Sequence, residues 1–197
     1  MSSSPMSSSK EIEIKFRIGE LRELQARLRD AGFRQITPPT HEINTLYDLP
    51  GQPLRKRGAL LRLRKYGNTW LLTHKAKGKS GRHKTRTETQ TRVEDGKKME
   101  SILLALGYRP SFRYEKFRAE WSDRHGHVVI DQTPIGNFGE IEGPSRWIDQ
   151  TARKLALGPT DYITETYAGL FFAWKKRTRS RAREMTFRAL RGANAKF

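Results

Sequence analysis

The sequence contains no cysteine and no long apolar run, and each absence removes a class of protein. Without cysteine there is no disulfide framework, no thiolate nucleophile and no Cys-ligated zinc. The most apolar stretch near the C-terminus, Ala168 to Trp174, is too short to span a bilayer. Residues 1–10 are rich in serine and lack the apolar segment of a secretory signal. We therefore expect a cytoplasmic protein with no transmembrane segment.

Acidic residues are scarce relative to basic ones. The 197 residues include 39 Lys and Arg but only 21 Asp and Glu, which gives a formal net charge of +18. Such an excess favours anionic partners, namely phosphates, nucleic acid or an acidic membrane surface. Hydrophobic residues make up 35% of the chain, which is enough to form the core of one globular domain.

The positive charge is densest at the end of the chain. Residues 175–197 hold nine basic residues and one acid, Glu184. We interpret this segment as a solvated, partly disordered tail, with contact to nucleic acid or acidic surfaces as the alternative. The sequence thus divides into a disordered N-terminal leader (1–9), a globular domain (10–174) and a basic C-terminal tail (175–197). A homodimer is also left open.

The apolar periodicity predicts an α+β fold. Residues spaced by three or four positions predict helices over 21–31, 99–106, 148–156 and 167–174, and Asp95 is placed to cap the second of these. About eight segments have a period of two and are separated by turn-rich stretches. They predict a largely antiparallel sheet with the helices packed against one side of it.

The polar residues that alternate with apolar ones in these strands are almost all charged. They share one face in six segments: Glu11, Glu13 and Lys15; Arg62 and Arg64; Thr73 and Lys75; Arg86, Glu88 and Gln90; Lys116 and Arg118; Glu140 and Glu142. If the apolar faces pack under the helices, the charged faces form one surface. Closure of the sheet into a barrel would turn that surface into a lumen.

A charged lumen has chemical consequences. Unpaired buried charge costs several kcal/mol per ion, so the lumen must be wet and must hold ions. Carboxylate oxygens suit Mg²⁺ or Mn²⁺, while Arg and Lys suit phosphate oxygens. A linear triphosphate that bridges metal and arginines satisfies both requirements.

These residues also form an ordered set of motifs. Glu11-Ile-Glu13-Ile-Lys15 is an ExExK string, and matching segments follow at strand spacing: Asn44 to Asp48, Leu61 to Arg64, Leu72 to Lys75, Arg86 to Glu88, Glu115 to Arg118, and Asp131 followed by Gly136 to Glu142. The set resembles the CYTH proteins, or triphosphate tunnel metalloenzymes, over nearly all of residues 10–174. That family includes class IV adenylyl cyclases, thiamine triphosphatases and inorganic triphosphatases. The resemblance implies a closed antiparallel eight-stranded β-barrel with flanking helices that binds a triphosphate inside.

The resemblance further implies a role for each matched residue. It implies catalytic roles for Lys15, Glu11 and Glu13. The implied ligands of Mg²⁺ or Mn²⁺ are Glu11, Glu13, Glu140 and Glu142, with Asp131 nearby. The implied phosphate-binding residues are Lys15, Arg62, Arg64, Lys75, Arg86, Lys116 and Arg118. Several positions depart from the family pattern. Asn44 stands where many members have Asp, Leu46 stands where some triphosphatases carry a Tyr, and Gln90 replaces a frequent third acid. A C-terminal catalytic Lys found in some members has no secure counterpart.

The motifs do not separate two reactions of a triphosphate. In hydrolysis, water attacks the terminal phosphorus; in cyclisation, the ribose 3′-hydroxyl attacks the α-phosphorus and pyrophosphate leaves. Because water is always available, we expect a metal-dependent triphosphatase acting on ATP, tripolyphosphate or thiamine triphosphate, with a class IV-type adenylyl cyclase as the alternative. A non-catalytic protein that binds polyphosphate or RNA is a further alternative. The acidic pairs disfavour it, because carboxylates repel a phosphate chain unless a metal neutralises them.

Overall fold

Eight antiparallel strands close into a barrel in the computed structural model, which describes residues 8–79 and 81–191. The strands and helices within this part of the chain, in order, are β1 Ser8–Ile18, α1 Leu21–Asp30, β2 Arg34–Asp48, α2 Pro53–Lys56, β3 Leu60–Tyr66, β4 Thr69–Lys75, β5 Lys84–Val93, α3 Gly96–Ala105, β6 Arg109–Ser122, β7 His127–Thr133, β8 Gly136–Glu142, α4 Ser145–Lys154, α5 Tyr167–Thr178 and α6 Phe187–Leu190. A single 3₁₀ turn, Pro159–Asp161, precedes α5.

The strand order around the barrel is β1-β5-β4-β3-β2-β6-β7-β8. Strand β1 closes the ring by pairing with two neighbours along its length. Its first half pairs with β5, with Glu11 opposite Arg86, and its second half pairs with β8, with Lys15 opposite Glu140. This architecture confirms the predicted closed eight-stranded antiparallel barrel with flanking helices.

The two-residue period of β1 decides which side chains face outward. Ile14 and Phe16 point away from the lumen and pack in a buried cluster with residues of α1 and α4, while Glu11, Glu13 and Lys15 line the cavity. Phe16 packs directly over Gly139 of β8, where an added Cβ would lie 2.1 Å from the Phe16 Cζ atom. Position 139 therefore needs glycine, because any side chain there would displace the aromatic ring that anchors β1.

The four predicted helices are all present. They correspond to α1, α3, α4 and α5, and the Asp95 carboxylate accepts hydrogen bonds from the backbone amides of Lys97 and Lys98, as predicted for a cap. Within the described residues, none of the helices is long and apolar enough to cross a membrane. The short helices α2 and α6 lack a sufficient run of periodic residues to be predicted from sequence.

The predicted solvated tail is wrong for residues 175–191. Helix α5 continues to Thr178, and the chain then folds back against β6, where Met185 and Leu190 are buried. The backbone amide of Glu115 donates to the Met185 carbonyl (2.9 Å), and the Met185 amide donates to the Arg113 carbonyl (3.0 Å). The prediction relied on the high density of charge in this segment. It failed because a few apolar residues are enough to pack the segment against the barrel.

The N-terminal boundary also shifts. Residues 1–7, most of the predicted disordered leader, lie outside the described residues, but Ser8 and Ser9 already belong to β1. Residues 192–197, the end of the predicted tail, lie outside the described residues as well.

The docked segment predicts a stability effect. Replacing Met185 by alanine removes a fully buried side chain from a cluster that includes Phe112 and Phe171, so Met185→Ala should lower the free energy of unfolding by roughly 2–5 kcal/mol. Leu106→Ala, at a side chain that is 65% exposed, is the control and should change it by less than about 0.5 kcal/mol. Urea denaturation followed by circular dichroism measures both; equal midpoints for Met185→Ala and the unmodified protein would contradict the docking.

Candidate active site

The barrel encloses a cavity of about 710 Å³ lined by the inward faces of its strands. Nine lysine or arginine side chains and seven aspartate or glutamate side chains line it. All seven predicted phosphate-binding residues and the four predicted metal-binding glutamates are among them: Lys15, Arg62, Arg64, Lys75, Arg86, Lys116, Arg118, Glu11, Glu13, Glu140 and Glu142. The structure therefore brings together residues that lie up to 131 positions apart, from Glu11 to Glu142.

The acidic side of the cavity is the junction of β1 and β8. Glu13 lies directly opposite Glu142 across this strand pair, and Lys15 lies opposite Glu140. Two like charges opposite each other in an antiparallel pair destabilise the sheet unless a cation lies nearby. Basic residues of β4 and β5 supply part of that compensation from the other side of β1.

These basic residues bind the β1 carboxylates closely. The Lys75 Nζ atom lies 2.6 Å from Oε1 of Glu11 and 2.7 Å from Oε2 of Glu88, and the Arg86 Nε atom donates to Glu11 Oε2 at 3.0 Å. Lys84 lies 3.3 Å from Glu13. Glu11 is thus held in place by two residues that the sequence assigned to phosphate binding, Lys75 and Arg86, whereas Glu13 is bound by Lys84, which had no predicted role.

Glu142 is the least compensated acid of the cavity. It is solvent-exposed at the end of β8, and the structure records no ion pair for it with any described residue. Partial desolvation, together with the carboxylates of Glu11 and Glu140, raises the pKa of Glu142 to about 7. The negative potential at this junction is therefore strong enough to favour a bound proton or a bound cation near neutral pH.

What we call the arginine clamp consists of three cavity-lining side chains on β3 and β6: Arg62, Arg64 and Arg118. The Arg62 and Arg64 side chains lie on β3; Arg62 contacts Thr73 (3.4 Å) and Arg64 contacts Gln90 (3.0 Å). The Nε atoms of both Arg62 and Arg64 are buried without a hydrogen-bond partner among the described residues. Because buried guanidinium donors are costly to leave unsatisfied, these two atoms indicate an anionic acceptor in the cavity.

Arg118 is held by two acids. It binds the Asp131 carboxylate through both Nε (2.8 Å) and Nη2 (2.6 Å), and the same Nη2 lies 2.6 Å from Glu140. Lys15 lies 2.9 Å from the other oxygen of Glu140. Burial alone would raise the pKa of Glu140, but Lys15 and Arg118 hold it well below its usual range. This carboxylate stays ionised and couples the acidic junction to the clamp.

Asp131 has a different position from the one predicted near the metal. It is fully buried behind the wall of the cavity, and its oxygens accept hydrogen bonds from Lys116 (2.8 Å), Arg118 and the Tyr167 hydroxyl (2.6 Å). Because these donors occupy both of its oxygens, Asp131 orients Lys116 and Arg118, two side chains predicted to bind phosphate, and is not available in this arrangement as a metal ligand.

Tyr167, the first residue of α5, closes one wall of the cavity. The ammonium groups of Lys15 and Lys116 each lie 4.8 Å from the centre of its ring, and its hydroxyl donates to Asp131. Burial and the charge of Asp131 raise the pKa of Tyr167 well above its ordinary value, so the phenol stays protonated. Cation–π contacts on the ring therefore fix the direction of two lysines that the sequence predicted to bind phosphate.

Glu42 is the functional residue that sequence reasoning missed. It is fully buried in the middle of β2 and lies 3.4 Å from Lys116, 3.5 Å from Arg64 and 3.8 Å from Arg118. Burial opposes its ionisation, but Lys116 and Arg118 pull the pKa of Glu42 far below its usual value. Glu42 is therefore the shared counterion of the clamp. The available signal was its alternation with Asn44, whose side chain donates to it at 2.9 Å.

The carboxylate oxygens of the acidic junction are ligands of the kind that a hard divalent cation takes. Glu13, Glu140 and Glu142 offer hard oxygen ligands on adjacent strands, and the uncompensated charge at Glu142 favours a cation there. Among residues 8–79 and 81–191, no three acidic or histidine side chains converge on one point, because ammonium and guanidinium groups already hold most of the carboxylates. The chemistry of the donors thus fits Mg²⁺ or Mn²⁺ as a competitor of those basic groups.

One part of the cavity wall is apolar. It is formed where β2 ends and β6 begins, beside α2 and α5, by Leu46, Leu54, Phe112 and Phe172. The Arg55 guanidinium lies 5.4 Å from the Phe172 ring centre on the same side. This wall can contact the non-phosphate part of an organic substrate, a feature that the sequence alone did not indicate.

Comparison with known proteins relates this architecture to a family. The model of the family described as CYTH domain matches residues 9–167. A protein of Methanocaldococcus jannaschii, named as a proposed adenylate cyclase, is 26% identical over 133 residues, which make up 67% of this chain and 75% of the relative.

Solved structures share the barrel. The X-ray structure of a proposed adenylate cyclase from Vibrio parahaemolyticus has a TM-score of 0.74 at 18% identity and covers 84% of this chain and 99% of its own. A proposed adenylyl cyclase from Hippeastrum, described as having a dominant triphosphatase activity, has a TM-score of 0.62 at 17% identity and covers 83% and 95% of the two chains. At these identities the likeness shows the fold.

The range matched by the family model carries the ExExK string, the arginine clamp and the Glu140–Glu142 pair, all of which line one cavity. The chain belongs to the CYTH domain family.

Proposed function

We propose that the protein is a divalent-cation-dependent triphosphatase that holds a triphosphate chain inside the barrel. The observation that carries this proposal is the pairing, within one cavity, of an acidic junction with a clamp whose buried Arg62 and Arg64 Nε atoms lack an acceptor among the described residues. Nine basic against seven acidic side chains leave a surplus of +2 in the lining, which is less than the charge of a triphosphate. A divalent cation at the acidic junction would help to neutralise the remainder.

The residues that line the cavity suggest how the triphosphate would be held. The clamp and Lys116 would bind phosphate oxygens through charge-assisted hydrogen bonds and stabilise the charge that develops on the leaving diphosphate. Glu42 and Asp131, buried behind them, keep their donors directed into the cavity. Mg²⁺ or Mn²⁺ held by Glu11, Glu13, Glu140 and Glu142 would supply the positive charge on the opposite side.

Hydrolysis needs only an aligned water. Its oxygen forms a bond to the terminal phosphorus while the bridging P–O bond breaks, so that orthophosphate and a diphosphate leave and the water proton passes to a carboxylate of the cavity. Lys15, placed between Glu140 and the Tyr167 ring, has ammonium donors that can orient this water. The triphosphatase activity of the Hippeastrum protein supports the proposal by family likeness.

The second candidate is cyclisation of ATP. It is favoured by the apolar wall around Phe112 and Phe172, which offers a surface for a nucleoside, and by the adenylate cyclase names of the relatives. The same clamp would then hold the triphosphate while the 3′-hydroxyl attacks the α-phosphorus.

Product analysis separates the two reactions. The purified protein is incubated with tripolyphosphate, ATP or thiamine triphosphate under Mg²⁺ and Mn²⁺, and products are quantified by chromatography. We expect orthophosphate release that a chelator abolishes, and Glu13→Gln should lower it by about 100-fold or more because it removes a ligand charge. Glu94→Gln, at an exposed acid outside the barrel wall, is the matched control. Cyclic AMP would select the second candidate, and no turnover of any substrate would overturn both.

Loss of a clamp residue should act on binding. Arg62→Ala removes a buried guanidinium, and a charge-assisted hydrogen bond contributes roughly 1.5–3 kcal/mol, so kcat/KM should fall by about 10- to 100-fold. Arg92→Ala removes an exposed guanidinium from strand β5, two strands away from β3, and should leave kcat/KM unchanged. Steady-state kinetics with unfolding controls check the comparison. A fall in stability with unaltered kinetics would assign Arg62 a structural role only.

The raised pKa of Glu142 predicts an unusual pH effect on stability. The folded protein binds a proton at this carboxylate below about pH 7, whereas the unfolded chain releases it nearer the ordinary value of 4.5. The contribution of Glu142 to the free energy of unfolding is therefore most favourable at low pH, and it is lost as the pH rises through about 7. In chelator, Glu142→Gln should be more stable than the unmodified protein at pH 8, and the difference should shrink towards pH 6.

Thermal unfolding measures this effect without turnover. Added Mg²⁺ should raise the midpoint of the unmodified protein at pH 8 and raise that of Glu142→Gln less, because ligand binding to the folded state stabilises it. Glu94→Gln should behave like the unmodified protein throughout. A Glu142→Gln variant with the same pH dependence as the parent would show that the acidic junction is compensated in another way.

A further inference from the structure

The C-terminal segment presents a second concentration of positive charge, separate from the cavity. Between residues 176 and 191 seven basic side chains are exposed, and we call them the C-terminal basic surface: Lys176, Arg177, Arg179, Arg181, Arg183, Arg188 and Arg191. The same segment contains one acid, the half-buried Glu184. None of the seven basic residues lines the cavity of the barrel. They therefore have no role in holding a triphosphate there.

The segment that carries Arg179, Arg181 and Arg183 is anchored to the barrel. From 179 to 184 exposure alternates, with Arg179, Arg181 and Arg183 exposed and the residues between them half-buried. Ala182 packs against the cluster that contains Met185, and the Met185 backbone is hydrogen-bonded to β6. The three arginines are thus exposed close together on an anchored segment, so ordering them for a partner costs less entropy than ordering a free tail.

Arg179 occupies a position that normally favours glycine. It follows α5 with φ +56° and ψ +24°, in the left-handed region where a side chain adds a conformational cost. Arginine at this position is less favourable for the helix end than glycine would be, but it adds a positive charge to the C-terminal basic surface. Helix-dipole complementarity accounts for basic residues in the last turn of α5 itself, but it does not account for Arg181 or Arg183 beyond it.

The charges of this surface are available to a partner. Across the described part of the chain, no carboxylate forms an ion pair with any of the seven residues, whereas the basic residues of the cavity are nearly all paired. Uncompensated exposed charge of one sign on an ordered surface is the electrostatic feature of proteins that bind polyanions.

The composition distinguishes between two polyanions. Six of the seven side chains are arginine, whose planar guanidinium binds phosphate through two parallel hydrogen bonds. Within residues 176–191 no large apolar side chain is exposed, so the surface has nothing to insert between lipids. We propose that the C-terminal basic surface binds nucleic acid through its phosphodiester backbone, independently of base sequence.

Salt-dependent binding tests this proposal. Fluorescence anisotropy of a labelled oligouridylate is measured with the full-length protein between about 0.05 and 0.2 M NaCl, where a micromolar Kd is expected. The triple variant Arg179→Gln/Arg181→Gln/Arg183→Gln should weaken binding by roughly 10- to 100-fold at about 0.1 M salt. It should also reduce the slope of log Kd against log salt by about 2, since each phosphate contact on a single strand contributes about 0.7.

The matched control removes the same charge elsewhere. Arg146→Gln/Arg153→Gln/Lys154→Gln neutralises three exposed residues of α4 and should leave the slope and the affinity nearly unchanged. Equal losses in the two triple variants would overturn the proposal, because net charge alone would then explain binding. Binding to phosphatidylserine vesicles but not to oligouridylate would also overturn it.

The test is independent of the proposed enzyme activity. Arg62→Ala, which alters the cavity, should bind oligouridylate like the unmodified protein, and the Arg179/Arg181/Arg183 triple variant should hydrolyse tripolyphosphate normally. Loss of oligouridylate binding in Arg62→Ala would place the nucleic acid in the cavity and overturn the proposal. Failure of hydrolysis in the unmodified protein would leave the surface measurements unaffected.

Discussion

Mutual neutralisation of acids and bases along the inner face of the barrel is the interaction on which the structure depends. Each ionisable side chain removed from bulk water costs several kcal/mol unless an opposite charge and hydrogen bonds compensate it. Here the partners lie on adjacent or next-but-one strands of the ring: Glu11 of β1 is bound by Lys75 of β4 and Arg86 of β5, while Asp131 of β7 holds Lys116 and Arg118 of β6. The order and register of neighbouring strands bring these partners within reach.

The same network determines how the cavity can accept a ligand. Under the proposed function, a phosphate chain would compete for the basic side chains of these ion pairs and a divalent cation would compete for the acidic ones. Glu42 and Asp131 are excluded from such an exchange because both are fully buried behind the clamp. Glu42 and Asp131 would hold Lys116 and Arg118 in position whether or not a ligand is bound. The carboxylates that line the cavity are the ones whose partners could change.

The sequence predicted the parts of the structure that depend on local periodicity. Alternation over three to seven residues was enough to identify the strands and to place Glu11, Glu13 and Lys15 on the face opposite Ile14 and Phe16. It was also enough to infer that the charged faces converge. The family resemblance then implied the site residues, and the structure places nearly all of them around one cavity.

What the sequence could not reveal depends on distant partners. Glu42 is a single acid in a mixed stretch of β2, and its importance comes from Lys116, which is 74 positions away. Asp131 appeared as one more acid near a metal, because nothing local shows that three donors already occupy it. The C-terminal segment was misinterpreted since its charge is frequent and its few buried apolar residues are not.

Helix α5 connects the cavity of the barrel to the C-terminal basic surface. The ring of its first residue, Tyr167, contacts the ammonium groups of Lys15 and Lys116. Its last residue, Thr178, precedes the segment that carries Arg179, Arg181 and Arg183. Twelve residues of α-helix form a rod of about 18 Å. A polymer bound beyond the outer end of α5 would consequently lie about 18 Å from Tyr167, the length of this helix.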